Sequence, residues 1–139
     1  MTGLHRQGLT IVPDSGRILR VRPQLNITSS KQSGVLIVTL EGILDGHTRP
    51  ELDEFVNNDL VNKQRHVIFD LHHVSYISSA GVSVFINVQQ NKRARNGSVH
   101  LARPSASVAE VFNLLGLHAL FSIHRNLDAA LSAIHPPAE

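Results

Sequence analysis

The sequence predicts an α/β domain: a small mixed β-sheet of about five strands with four helices, in the order β-β-α-β-α-β-α-β-α. Short β-branched runs alternate with segments whose apolar residues recur at helical spacing. The chain has 139 residues, 42% of them apolar, which is enough for one domain with a real core. Strands separated by helices imply right-handed parallel crossovers.

Residues 1–22 precede the predicted domain. They are polar, contain proline and glycine, and show little periodicity. We expect them to form an N-terminal extension that is flexible at least in part. Residues 23–136 are assigned to the domain.

The first two strands are expected to form a hairpin. Residues 24–30 (QLNITSS) alternate weakly, and KQSG at 31–34 has the composition of a turn. Residues 35–42 (VLIVTLEG) are a β-branched run that ends at a glycine, which is typical of a strand.

The first helix is expected after the segment ILDGHT. Pro50 suits the first turn of a helix, and Thr48 is a candidate N-cap. The apolar residues that follow are spaced as one helical stripe, made of Leu52, Phe55, Val56 and Leu60. Residues 66–71 (HVIFDL) are typical of a buried strand, and we expect HHVSYIS to turn the chain after it.

The rest of the chain continues the alternation. The predicted elements are a helix at about 79–95 closed by Asn96–Gly97, a strand at 98–103, a helix ending near Gly116, a strand at 120–124 and a last helix. The candidate caps of the two later helices are Ser105 or Ser107, and Asn126. The five phenylalanines are assigned to the core.

Composition excludes several classes of function. Without cysteine, the chain has no disulfide, thiolate chemistry or cysteine zinc site, which fits a reducing compartment. It contains neither an apolar run of about 18 residues nor an apolar signal-peptide segment, so we expect a cytoplasmic protein without a membrane partner. The net charge is +2, and the basic residues Lys92, Arg93 and Arg95 are interpreted as a solvated helix end rather than a nucleic-acid patch.

Two adjacent serines, Ser78 and Ser79, lie where a helix is expected to begin. A serine there can cap the unpaired N–H groups of the first turn. The same position also tolerates a phosphate, because the positive end of the helix dipole stabilises negative charge. The sequence does not favour a catalytic serine, because the hydrolase motif needs glycine two residues on either side and the residue two positions before Ser79 is Ile77.

The histidines do not predict a metal site. His72 and His73 are adjacent and are expected to point to different sides of an extended loop, which makes a poor chelate. His47 lies elsewhere, and no spaced carboxylate completes a ligand set. His66, His100 and His118 are interpreted as structural or surface residues. We expect no metal, no other cofactor and no enzymatic activity.

Three segments together resemble the STAS domains of bacterial anti-sigma factor antagonists, also called anti-anti-sigma factors. They are VIFDLHHVSYISSAGVSVFI at 67–86, VTLEGILDGHTRPELDEF at 38–55, and GSVHLARPSASVAEVFNLLGLHALFSIHRNLDAAL at 97–131. The resemblance covers about residues 24–135 and implies the STAS-type fold.

The resemblance also implies a mechanism, partner switching. The unphosphorylated antagonist would bind an anti-sigma factor that is itself a GHKL-type serine kinase, which frees the sigma factor. Phosphorylation by that kinase would release the antagonist, and a PP2C-type phosphatase would reset it.

Ser79 matches the phosphoacceptor of the family, Asp45 matches the acidic residue of the neighbouring loop, and Gly81 matches the glycine that lets the helix start closely. The partner-binding surface implied by the resemblance consists of Asp45, His47, Thr48, Ser78, Ser79, Ala80, Gly81 and Ser83. Many members carry Asp immediately before the phosphoserine, whereas this chain has Ser78, which is a competing acceptor.

An alternative function stays open at this point. Other STAS domains serve as unphosphorylated scaffolds or subunits of stress-sensing or transport-associated complexes. The sequence does not decide the oligomeric state either: an exposed sheet edge could allow a weak homodimer, and otherwise we expect a monomer.

Overall fold

The structure, a computed structural model, describes residues 9–12, 17–20 and 24–135. Strands β1 (Leu9–Val12) and β2 (Arg17–Arg20) pair antiparallel as a two-stranded sheet, separate from the main one. The sequence analysis did not predict these strands. The rest of the expected extension at 1–22 lies outside the described residues, and its separation from a domain at 23–136 stays a prediction.

A five-stranded mixed sheet organises the domain and confirms the predicted fold class. Its strands, in the order in which they are hydrogen-bonded, are β3 (Leu25–Gln32), β4 (Val35–Leu44), β5 (His66–Ile77), β6 (Ser98–Ala102) and β7 (Ser122–His124). The β3–β4 pair is an antiparallel hairpin, and every later pair is parallel. The carboxyl ends of β4 and β5 therefore lie side by side.

Within residues 24–135, five helices connect and cover these strands, one more than the sequence predicts. They are α1 (Arg49–Val56), α2 (Asp59–Asn62), α3 (Ser79–Arg93), α4 (Ala106–Leu114) and α5 (Leu127–Ile134), with a 3₁₀ turn at Leu117–Ala119. The expected caps Ser105 and Asn126 are confirmed, since their side chains accept hydrogen bonds from the N–H groups of Val108 and Ala129. In the described part of the chain, no helix is long and apolar enough to cross a membrane.

The extra helix arises because the first predicted helix is divided at Asn57 and Asn58. Asn57 ends α1, and Asn58 Oδ1 accepts a hydrogen bond from the Val61 N–H at 3.0 Å, which starts α2. The break rotates the second segment, so that Val61 is buried and Leu60 is 43% exposed. The expectation that Leu60 continues the apolar stripe was wrong.

The sheet packs helices on both faces. Helices α1, α3 and α4 bury residues such as Leu52, Phe85 and Phe112 against one face. Helix α5 covers the other face through a smaller cluster around Ile68 and Ala130. The helices on the first face fix how the loops after β4 and β5 leave the sheet.

The sequence analysis assigned Lys92 to a solvated helix end, and for this residue the expectation was wrong. Its side chain is 1% exposed, and its Nζ donates to Val61 O at 2.6 Å and to Gln64 O at 2.5 Å. These carbonyls belong to the end of α2 and the turn after it, which α3 thereby holds in place. Burial, together with the charge of Arg95, lowers the pKa of Lys92.

Candidate functional site

Strand β5 continues to Ile77, so the prediction that HHVSYIS turns the chain was wrong. The register with β4 shifts twice, between Thr39 and Glu41 and between Gly42 and Ile43, and each shift gives β5 one extra residue. These bulges let the strand extend past Leu71 although its sequence does not alternate regularly. The strand therefore ends directly before the two serines, where α3 begins.

Ser78 is the N-cap of α3. Its backbone is extended, with φ −110° and ψ 171°, and its Oγ accepts a hydrogen bond from the Gly81 N–H at 3.4 Å. Its own N–H donates to Leu44 O at 2.9 Å, which ties the helix start to the end of β4. The side chain is half-buried. Ser78 Oγ therefore has a structural task, as the acceptor that caps α3.

Ser79 is the first residue of α3, and it is exposed. Its hydroxyl makes no hydrogen bond within the described residues. No acidic side chain lies in the first turn of this 15-residue helix, so the partial positive charge of the helix start is not compensated there. A negative group attached to Ser79 would be electrostatically favoured.

Gly81 permits a close approach between α3 and the end of β4. A Cβ atom at this position would lie 2.6 Å from Leu44 Cγ and 2.9 Å from Leu44 O. Both distances are shorter than any ordinary carbon contact, so a larger residue would push the helix away from the strand. We call Ser78–Gly81 the serine junction; Ala80, its remaining member, is half-buried.

The loop after β4 is held by hydrogen bonds of its own and lies at the same edge of the sheet. Asp45 Oδ1 accepts hydrogen bonds from the N–H groups of His47 at 2.9 Å and Thr48 at 3.1 Å. Thr48 is 2% exposed, and its hydroxyl donates to Ile43 O at 2.8 Å. Thr48 occupies the N-cap position of α1, but the expectation that its side chain caps the helix was wrong. His47 is exposed.

Ser83 lies one turn into α3 and faces α1. Its Oγ donates to Ala80 O at 2.7 Å and accepts a hydrogen bond from Arg49 Nη1, also at 2.7 Å. Arg49 in turn pairs through Nε with Asp53 Oδ2 at 3.2 Å. The structure thus adds a cation to the predicted surface, one that the sequence analysis missed.

Comparison with known proteins identifies the family. The family model described as "STAS domain" matches residues 26–130. This chain belongs to the STAS domain family. A relative from Bordetella bronchiseptica, named as the anti-sigma factor antagonist BtrV, is 29% identical over 109 residues, which are 78% of this chain and 94% of the relative.

Solved STAS structures share the fold. An anti-sigma factor antagonist from Mycobacterium paratuberculosis matches with a TM-score of 0.72 at 21% identity, covering 80% of this chain and 94% of that one. The unphosphorylated form of SpoIIAA from Bacillus matches with a TM-score of 0.68 at 18% identity, covering 82% and 100% of the two chains. The phosphorylated form of SpoIIAA matches with a TM-score of 0.55, also at 18% identity, covering 78% and 99%.

In this STAS domain, two serine hydroxyls bind the edge of β5 that faces away from β4, in the part of the strand after Asp70. Strand β6 pairs with β5 only as far as Asp70. Beyond that point Ser105 Oγ donates to Val74 O at 2.9 Å, and Ser107 Oγ donates to Ser75 O at 3.2 Å. The first turn of α4 therefore supports the strand that carries the serine junction.

An ion pair between a buried carboxylate and a partly exposed arginine anchors the same region. Arg103 binds both oxygens of Asp70, with its Nε 3.0 Å from Oδ1 and its Nη2 2.6 Å from Oδ2. Asp70 is 2% exposed, and the hydrogen bond to it is the main cause that raises the pKa of Arg103. The pair holds the loop before α4 against β5.

The two adjacent histidines of the bulge lie together. The ring centroids of His72 and His73 are 4.7 Å apart in an edge-to-face arrangement, so the expectation that they point to different sides was wrong. The first bulge of β5 breaks the alternation that this expectation assumed. Within residues 24–135, no group of three or more His, Cys, Asp or Glu side chains could hold a metal ion.

A second polar cluster lies on the face of the sheet that α5 covers. His100 Nδ1 is 3.0 Å from His124 Nε2, and His100 Nε2 is 3.1 Å from Ser98 Oγ. Ser98 Oγ is in turn 2.8 Å from His66 Nδ1. We call these four residues the histidine cluster. The sequence analysis assigned His66 and His100 only generally, to structural or surface positions.

Burial dominates the titration of this cluster. It lowers the pKa of His100 to about 4, with further contributions from His124 and His66. It also lowers the pKa of His124, and it lowers that of His66 together with Arg65 and His135. Lowered pKa values favour the neutral rings, so the cluster is a hydrogen-bonded structural network rather than a charged site.

Proposed function

We propose that this STAS domain is an anti-sigma factor antagonist that acts by partner switching and is controlled by phosphorylation of Ser79. The observation that supports it is that the two hydroxyls of the serine junction are used differently. Ser78 uses its hydroxyl to cap α3, whereas Ser79 presents an exposed hydroxyl without a partner among the described residues. Its relatives are named anti-sigma factor antagonists, and SpoIIAA is known in a phosphorylated form.

The proposed partner in the unphosphorylated state is an anti-sigma factor that is a GHKL-type serine kinase. It would contact the edge formed by the Asp45–Thr48 loop and the first turn of α3. Tyr76, which is 52% exposed at the end of β5, adds an aromatic anchor of the kind that interfaces use. The domain itself would carry no catalytic group.

Phosphorylation would switch binding without unfolding the domain. A phosphate adds nearly two negative charges at the centre of the contact surface, and an interface shaped for a neutral hydroxyl cannot accommodate them. The uncompensated positive end of α3 tolerates the phosphate within the domain. A PP2C-type phosphatase would restore the binding form.

The proposal is tested by intact-mass measurement after incubation with ATP and each GHKL-type serine kinase of the source cell. We expect one added phosphate on the wild-type protein and on Ser78→Ala, and none on Ser79→Ala. Phosphate on Ser79→Ala but not on Ser78→Ala would identify Ser78 as the acceptor instead. No phosphate with any kinase would contradict the proposal and favour an unphosphorylated scaffold role.

A further inference from the structure

The guanidinium of Arg49 lies between α1 and α3 on the surface that carries Ser79. Its Nη1 donates to Ser83 Oγ at 2.7 Å, and its Nε donates to Asp53 Oδ2 at 3.2 Å. Its Nη2 makes no hydrogen bond within the described residues. A third of the side chain is exposed. Arg49 is thus a cation held between the two helices, with unused donor capacity.

Ser83 relates this cation to the proposed phosphoacceptor. Ser79 and Ser83 are four residues apart in α3, so they lie on the same face with their Cβ atoms about 6 Å apart. Side chains of a helix lean toward its N-terminus, which places the Ser83 hydroxyl on the Ser79 side of its own Cα. Arg49 Nη1 is bound to that hydroxyl and is therefore close to the space that a phosphate on Ser79 would fill.

We propose that Arg49 binds the phosphate of phosphorylated Ser79, an inference that rests on the function proposed above. A guanidinium offers a planar pair of N–H donors that matches two phosphate oxygens. The phosphate is a stronger acceptor than the neutral Ser83 hydroxyl, so it displaces Ser83 from Nη1 and also engages Nη2.

The existing ion pair does not prevent this exchange. Asp53 is 40% exposed on its side chain, and an exposed pair of this kind contributes little stability. Arg49 can release or share Asp53 with little cost and turn its fork toward α3. The phosphate is then held against α1 in one orientation and partly neutralised, instead of rotating freely on the first turn of the helix.

The test uses protein with phosphoserine incorporated at position 79 during translation, so that no kinase is needed. The second ionisation of the phosphate is followed by phosphorus NMR as a function of pH. We expect Arg49→Gln to raise the midpoint by about 0.5 to 1 pH unit, because a nearby cation favours the dianion. Arg49→Lys should lie in between, since lysine keeps the charge and loses the fork.

Arg125→Gln is the control, because Arg125 is an exposed arginine that lies in the loop before α5. It should titrate like the wild-type protein. Equal midpoints for the wild-type protein and Arg49→Gln would overturn the proposal. An equal rise in Arg125→Gln would show a general charge effect and would also overturn it.

A second measurement covers the case in which Arg49→Gln does not fold. In otherwise wild-type protein, the Nε–H resonance of Arg49 should shift on phosphorylation more than that of Arg125, and an unmoved resonance would reject the pair. Failure of the kinase assay together with a positive titration would reject the proposed function and keep the arginine–phosphate contact. If a kinase phosphorylates Ser79 but the wild-type protein and Arg49→Gln titrate with the same midpoint, the proposed function stands and the arginine–phosphate contact is rejected.

Discussion

The serine junction and the histidine cluster are both polar, yet they satisfy their hydrogen-bonding groups in different ways. In the histidine cluster, each nitrogen of the His100 ring lies within hydrogen-bonding distance of a polar side chain beneath α5. At the serine junction, Ser78 is used internally, while the hydroxyl of Ser79 is exposed and unpaired in the described part of the chain. A buried polar group needs an internal partner, whereas an exposed one remains available to an external partner.

The largest effect is expected from Ser79→Asp, which tests whether the exposed hydroxyl of the serine junction serves an external partner. We expect binding to the cognate anti-sigma kinase to weaken by at least about 1,000-fold, equivalent to about 4 kcal/mol, because a charge would enter an interface built around a hydroxyl. The free energy of unfolding should change by less than about 0.5 kcal/mol, since the side chain is exposed. Isothermal titration calorimetry and urea denaturation measure the two quantities.

Ser79→Asn serves as the control for size without charge and should retain more binding than Ser79→Asp. Full kinase binding by Ser79→Asp would contradict the proposed switch. Unfolding of Ser79→Asp would contradict the view that this hydroxyl has no structural task.

The next effect concerns the histidine cluster and is a loss of stability in acid. The pKa of His100 is lowered to about 4 from its usual value of 6.5, so the unfolded chain binds more protons than the folded domain between these values. The stabilising effect of a neutral ring is present above about pH 6.5 and is lost as the pH falls toward 4. For His100 alone, this loss is about 3 kcal/mol at pH 4.

Urea denaturation at several pH values between about 7 and 4 measures this dependence. His100→Gln, which does not titrate, should show a flatter dependence on pH than the wild-type protein. The exposed residue His47 supplies the control variant His47→Gln, for which we expect the wild-type slope. An equally steep slope in His100→Gln would contradict the assignment to the cluster.

The smallest effect separates the two serines by stability. Ser78→Ala removes the N-cap of α3 and should lower the free energy of unfolding by about 1 kcal/mol. Ser79→Ala removes a hydroxyl without a partner among the described residues and should change the free energy of unfolding by less than about 0.5 kcal/mol. Urea denaturation of both variants checks the order, and a larger cost for Ser79→Ala would reverse the assignment of the cap.

Local signals explain why much of the fold could be predicted. The hairpin, the buried run at 66–71 and the later helices each carry their own periodicity or capping residue, as with Ser105 and Asn126. The split of the first helix followed from two asparagines, which compete with the helix by bonding to nearby backbone groups. Asn57 and Asn58 are the signal in the sequence that indicates the break.

The remaining features depend on contacts between distant segments. The length of β5 was missed because its bulges are decided by pairing with β4, which the alternation of its own residues does not reveal. Arg49 and Ser83 are 34 residues apart, so only the packing of α1 against α3 brings them together. Lys92 looked like a surface cation because its carbonyl partners lie about 30 residues away in sequence.

The hydroxyl groups of Ser105 and Ser107 have a consequence for how the domain behaves at high concentration. An open strand edge usually invites another strand to pair with it, which leads to aggregation. Here the carbonyls of Val74 and Ser75, which such a strand would need, are already occupied by those hydroxyls. The protein can therefore display Ser79 just beyond the end of an extended strand without recruiting further copies along that stretch.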